Sequence, residues 1–173
     1  MNQPENNKRE QLLTLTQWLT CDDLDEHEAN RIIDLCLQVQ ASPTPTLLET
    51  YGADAAKVVE YDPQGLLAFV LFTELEDYFA YADTVDELYE QIVDAFEQPA
   101  LPDYPYEQSS FDSVSGFFAW VDQQLLAHHT KYQLIHFGQS YTHDFQVLLV
   151  YRDRVDDILA LCGQLGVQAE RCN

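Results

Sequence analysis

Asp86, Glu90, Asp94 and Glu97 are spaced by four, four and three residues. On a helix this spacing sets them in one row, about 6 Å apart, on the face opposite Leu88 and Ile92. Such a row can present a phosphate-like array of charge to a basic groove. No lysine or arginine interrupts it, although each like-charged pair costs about a few tenths of a kcal/mol at that spacing. The row sits inside a longer anomaly. Between Lys57 and Lys131 the chain has no lysine or arginine and carries fifteen carboxylates. Glu87 lies beside the row, and Tyr78, Tyr81, Tyr104 and Tyr106 lie in the same interval. Tyrosine offers a large contact area at low entropic cost, which suits an interface. Two readings stay open: a binding face, or a solvated helix face with tyrosines half-buried in a strand and linker.

Other chemistries find less support. The run Asp22-Asp23-Leu24-Asp25-Glu26, with Glu28, forms a second acidic cluster. It lacks the alternating acids and the glycine of a calcium loop. His27, His128, His129, His136 and His143 fit no metal-ligand spacing, and His128-His129 at a helix end suits the negative end of the dipole. Ser113-Val114-Ser115-Gly116 is not a nucleophile elbow. The six glycines form no phosphate-binding loop. The four cysteines include no Cys-x-x-Cys pair, and Cys36 and Cys162 fall at apolar helix positions where a thiol acts as a small hydrophobe. No catalytic residue, metal or cofactor is expected.

The chain's net charge of -22 repels nucleic-acid phosphate and anionic membrane, so direct binding to either is disfavoured and basic proteins are the natural partners. With 173 residues and 46% hydrophobic content it can bury a core. Its longest apolar run, Leu66 to Phe72, is far short of the roughly 18–20 residues that span a bilayer. The first residues show neither a basic flank nor an apolar segment, so no signal peptide and a cytoplasmic location are expected.

The elements that must position these residues follow from periodicity. A helix is expected over about 8–19. A second, capped by Asp23, runs to about Gln40 and is broken by Ser42-Pro43-Thr44-Pro45. A short helix follows over 46–51. Val58 to Tyr61 and Leu66 to Phe72 flank Asp62-Pro63-Gln64-Gly65, which predicts a β-hairpin with a central, two-face-buried second strand. The segment 74–82 is ambiguous between helix and strand, with Tyr78, Phe79 and Tyr81 favouring a strand. Thr84 and Glu87 form a capping box for the acidic helix, whose apolar stripe is Val85, Leu88, Tyr89, Ile92, Val93 and Phe96, and Gln98-Pro99 ends it. Helix 111–128, strands 133–137 and 145–151, a helix capped by Asp153 and ended by Gly166, and an edge strand over 167–171 complete the chain. The expected class is α+β: a small mixed sheet or sheets packed by helices. Two α/β halves, 1–98 and 111–173, are joined by a proline-rich linker at 99–110, as one compact unit.

The stretch Ser140-Tyr141-Thr142-His143-Asp144-Phe145-Gln146-Val147-Leu148-Leu149-Val150, with Arg154-Val155, Ile158-Leu159-Ala160-Leu161-Cys162 and Leu165-Gly166-Val167 after it, resembles the C-terminal signature of DUF6630, a family of bacterial proteins of unknown function. Leu67 to Ile92 is similar to that family's strand-then-acidic-helix portion. The resemblance implies a small cytoplasmic bacterial α/β protein and no established activity.

Taken together, the residues point to an acidic intracellular binding protein, monomer or homodimer, that engages a basic protein such as a nuclease toxin or a nucleic-acid-binding protein. An immunity protein or a DNA-mimic inhibitor would act in this way. The partner-binding residues would be Asp86, Glu87, Glu90, Asp94, Glu97, Tyr78 and Tyr81. The alternative is a housekeeping α/β domain whose acids only solvate it.

Overall fold

The computed structural model describes residues 3–95, 101–105, 111, 113–141 and 143–172. Its helices are α1 (Gln3–Leu19), α2 (Glu26–Ala41), α3 (Pro43–Tyr51), α4 (Ala53–Ala56), α5 (Val58–Tyr61), α6 (Leu66–Glu74), α7 (Val85–Asp94), α8 (Val114–His128) and α9 (Val155–Leu165). The strands are β1 (Phe79–Ala82), β2 (Tyr132–Phe137), β3 (Phe145–Tyr151) and β4 (Ala169–Arg171), and short 3-10 turns occupy Glu76–Tyr78 and Arg152–Arg154. The class is α+β, as the sequence implies.

One four-stranded sheet in the order β1-β3-β2-β4 organises the chain, and every pairing in it is antiparallel. It takes one strand from before the proline-rich stretch and three from after it. Side chains alternate between its faces, as strand geometry requires. Phe79, Ile135, Phe137, Leu148 and Val150 join a core with α1, α2, α6 and α9. Ala80, Ala82, Leu134 and Val147 face the other way, toward Leu88, Tyr89 and Ile92 of α7 and Phe117, Phe118, Val121 and Leu125 of α8. Because helices cover both faces, β3 carries few polar residues, and its one buried polar side chain, Gln146, donates from Nε2 to Phe137 O at 2.8 Å.

The predicted β-hairpin at 58–72 is not formed. Both arms are helical, as α5 and α6. The turn itself exists, with the Gly65 N–H donating to Asp62 O at 3.0 Å, but it links two helices. A short run of apolar residues reads equally as a buried strand or a buried helix. Leu66, Leu67, Ala68, Val70 and Leu71 are all buried, which marks a helix enclosed nearly all round.

Caps and boundaries also differ. Asp25 rather than Asp23 caps α2, its Oδ1 accepting from the His27 N–H at 3.2 Å. The proline break at 42–45 is also a helix start, with Pro43 in the first turn of α3, where a missing N–H costs nothing. Asp153 does not cap α9. It lies within the 3-10 turn that leads from β3 into that helix. Helix α8 begins at Val114, after Ser113, and the last strand is shorter than predicted. Gly166 closes α9 in the left-handed region at φ 72°. All four cysteines are free, and burial pushes the Cys36 and Cys162 thiols up to about 12. Phe96, Gln98-Pro99 and part of the linker lie outside the described residues.

Candidate functional site

Helix α7 carries the acidic row. Thr84 opens it, its Oγ1 accepting from the Glu87 N–H at 3.4 Å. Leu88, Tyr89 and Ile92 are buried, which fixes the helix's rotation. Tyr89 also donates its hydroxyl to Pro102 O at 2.5 Å. With that face pinned, Glu87, Glu90 and Asp94 point to solvent and Asp86 is half-buried. Glu97 lies outside the described residues.

The helix lies along an edge of the sheet. Strand β1 pairs with β3 on one side only, and on its open side Gln91 reaches from α7 to the backbone of Tyr81. Below this contact a cleft of about 200 Å³ runs between β1 and α7. Asp77 and Asp94 are its charged residues, and Phe79, Ile92, Leu134 and Leu149 are among its apolar walls.

The arginines spend their charge elsewhere. Arg9 pairs with Asp34, Arg31 with Glu28 and Glu74, Arg152 with Asp122, Arg154 with Asp22, and Arg171 with Asp156. None of these pairs reaches α7.

Of the tyrosines, Tyr78 lines the cleft together with Asp94 of the row, whereas the Tyr81 side chain points to the other face of the sheet. Tyr81 packs against the core on the α6 side, while α7 packs on the other. Tyr78 donates to Asp23 Oδ2 at 2.7 Å, and Tyr81 donates to Glu76. Burial first, and then the Asp23 hydrogen bond, push the Tyr78 phenol up to about 12. For Tyr81 the hydrogen bond to Glu76 is the larger cause of a raised value. Tyr104 lies among Tyr89, Phe111, Phe117 and Trp120. Tyr106 lies outside the described residues.

The second acidic cluster is tied into the fold. Asp22 pairs with Arg154 at 2.9 Å, Asp23 accepts from Tyr78, Asp25 caps α2, and Glu28 pairs with Arg31. The histidines are dispersed. His128 ends α8, His136 on β2 lies edge-on to Phe118, and His143 meets Asp83 at 3.3 Å. Among the described residues no three His, Cys, Asp or Glu side chains gather in a way that could hold a metal. Ser113 caps α8, its Oγ accepting from the Gly116 N–H at 3.1 Å. Among the described residues no helix is long and apolar enough to cross a membrane.

Sequence reasoning named the row but missed Gln91 and the cleft between Asp77 and Asp94. Both depend on β1 being an edge strand beside α7, which no local spacing encodes. Comparison with family models, with curated proteins and with solved structures found no match.

Proposed function

We propose that the chain is an acidic, intracellular binding protein that offers the outer face of α7 to a basic protein partner. An immunity protein or a nucleic-acid-mimicking inhibitor is the kind of protein this describes, and a nuclease or a nucleic-acid-binding protein is the kind of partner. No residue is assigned a catalytic role. One observation carries the reading: among the described residues the arginine ion pairs all go to carboxylates away from α7. Among the described residues Asp86 and Asp94 therefore meet no arginine, on an element whose buried face fixes which way it turns. The neighbouring cleft adds Asp77 and an apolar wall, a fit for the stem and head of a lysine or arginine side chain.

The test is capture from native lysate at low and high salt with the wild-type chain and with Asp86, Glu90 and Asp94 reversed to lysine. A partner retained by the wild type, lost at high salt and lost with the reversed row supports the reading, because exposed charges are screened over about 8 Å at physiological salt. A partner indifferent to both changes overturns it.

A second reading has its own observation. Asp54, Glu60, Asp156 and Asp157 are also exposed, on elements remote from α7 in sequence. Acids spread in this way suit a housekeeping domain whose charge serves solvation, and that reading predicts no salt-sensitive partner at all.

A further inference from the structure

Basic residues are scarce in this chain, eight lysines and arginines against thirty acids. Three of the eight, Lys131, Arg152 and Arg154, line one concavity of about 540 Å³ together with Thr130, Tyr151 and Asp153. It forms where β2 begins and β3 ends. The Arg152 N–H donates to Lys131 O at 2.7 Å and holds the two segments side by side.

The three cations are not equivalent. Arg152 is consumed by the fold. Its Nη2 donates to Asp122 Oδ1 at 2.8 Å and to Tyr132 O at 2.9 Å, and its Nε donates to Thr130 O at 3.2 Å. Arg154 is half consumed. Its Nη1 donates to Asp22 at 2.9 Å, while Nε and Nη2 make no hydrogen bond among the described residues. The guanidinium lies 5.5 Å from the Tyr151 ring and 6.0 Å from the Trp18 ring. Lys131 makes no ion pair among the described residues, and its ammonium stands 5.9 Å from the same Tyr151 ring. Two cations with donors to spare thus share one aromatic ring in a concavity of small-ligand size; such sites run to about 300–1,000 Å³.

We propose that this concavity binds a small organic anion, a phosphate ester or a carboxylate. Lys131 and the uncommitted N–H groups of Arg154 take its oxygens, and its apolar body lies along Tyr151. Arg152 is a wall of the site and not a ligand. Asp153 at the rim offers an acceptor to a hydroxyl on the bound molecule. Asp22 and Asp122 are already neutralised by Arg154 and Arg152, so the charge left for a ligand to meet comes from Lys131 against Asp153. Elsewhere the molecule repels anions, which makes this concavity the place where one can be held.

The site is independent of the α7 face, and its salt dependence differs. Contact with Lys131 and Arg154 is short-range, whereas the repulsion from the remaining acids is long-range and is screened first. Anion binding therefore changes little, or strengthens, from low to physiological salt, while binding of a basic partner to α7 weakens.

The experiment titrates the full chain with phenyl phosphate, benzoate and uncharged benzyl alcohol, following backbone amide resonances. The expected result is movement of the Thr130, Lys131 and 152–154 amides by one or both anions, with affinity on the order of tenfold or more above that of the alcohol. Whichever anion binds tighter assigns the ligand class. Lys131→Gln weakens that binding on the order of tenfold and Lys131→Glu removes it. Lys131 is exposed, so both variants fold. Equal binding of benzyl alcohol, shifts scattered over the surface, or unchanged affinity in Lys131→Glu would overturn the proposal.

Discussion

Gln91 completes the outer edge of β1 by bonding to Tyr81 twice: its Nε2 donates to Tyr81 O at 2.7 Å, and the Tyr81 N–H donates to its Oε1 at 2.9 Å. A side-chain amide here takes the place of a neighbouring strand. An edge strand with free backbone groups is a template for pairing with another chain. Gln91→Ala should lower stability by about 1–2 kcal/mol and promote self-association. Gln91→Glu should do much the same, because a carboxylate cannot donate to Tyr81 O. Urea titration and light scattering at several protein concentrations read the two effects separately. A variant that stays monodisperse would show that the clamp is not what blunts this edge.

The acidic row costs stability, and that cost separates a binding face from a solvated one. Asp94→Lys places a positive charge near the C-terminus of α7 and four residues after Glu90. Both changes are favourable, together about 0.5–1 kcal/mol at low salt. The variant should therefore raise the urea midpoint while weakening capture of a basic partner. If Asp94→Lys raises the midpoint and leaves capture intact, Asp94 belongs to the solvating surface only.

Two glycines should respond in opposite senses to alanine. Gly138, at φ +69°, has the Ala68 Cβ 3.1 Å and the Gln146 Nε2 3.2 Å from where its own Cβ would stand. Gly138→Ala should cost about 1–2 kcal/mol from the left-handed backbone, with further crowding against α6. Gly163 lies within α9, faces solvent and has no atom within 4 Å of such a Cβ. Gly163→Ala should stabilise by about 0.5–1 kcal/mol. Thermal melts of the pair measure both.

His136 gives a pH dependence of defined sign. Burial against Phe118 lowers its pKa, with Glu170 opposing that shift. The unfolded chain therefore takes up the proton more readily than the folded one. The stability linked to this group is present above the ordinary histidine value of 6.5 and is lost as pH falls through it toward the folded value. Acidification also relieves repulsion among the carboxylates, so the quantity to measure is a difference. The wild type minus His136→Gln, in urea midpoints from neutral to mildly acid pH, should decline as pH falls. A flat difference would rule out this linkage.

Much of the architecture could be read before folding. The short apolar runs in 133–137 and 145–151 foretold β2 and β3, because strands with core on both faces leave apolar residues on both parities. The stripes of α2, α7 and α9 were legible for the same reason. Helix α6 was not, because Leu66 to Phe72 has no period and only its surroundings decide between strand and helix. Asp153 resembles a cap in sequence, yet Arg152 is held by Asp122, Thr130 and Tyr132, and this draws the chain into a 3-10 turn first. The row on α7 was plain from its spacing. The placement of the Tyr81 side chain across the sheet from it was not, since strand parity becomes a face only when the sheet is known. The concavity at Lys131 needed two segments that lie about twenty residues apart in sequence.

The strand order has a kinetic consequence. β2 and β3 are joined by a short connection and can pair as soon as they form, but Phe79 must find Leu148 across the whole proline-rich stretch. Closing so long a loop is entropically slow, and contacts of this kind lag in folding. Until β1 arrives, the side of β3 that it will cover stays open. Truncating Ala80 or Phe79 should then speed unfolding and leave the folding rate nearly unchanged, whereas truncating Ile135 should slow folding. Stopped-flow chevrons of these variants would time the arrival of β1, the strand that sets α7 in place.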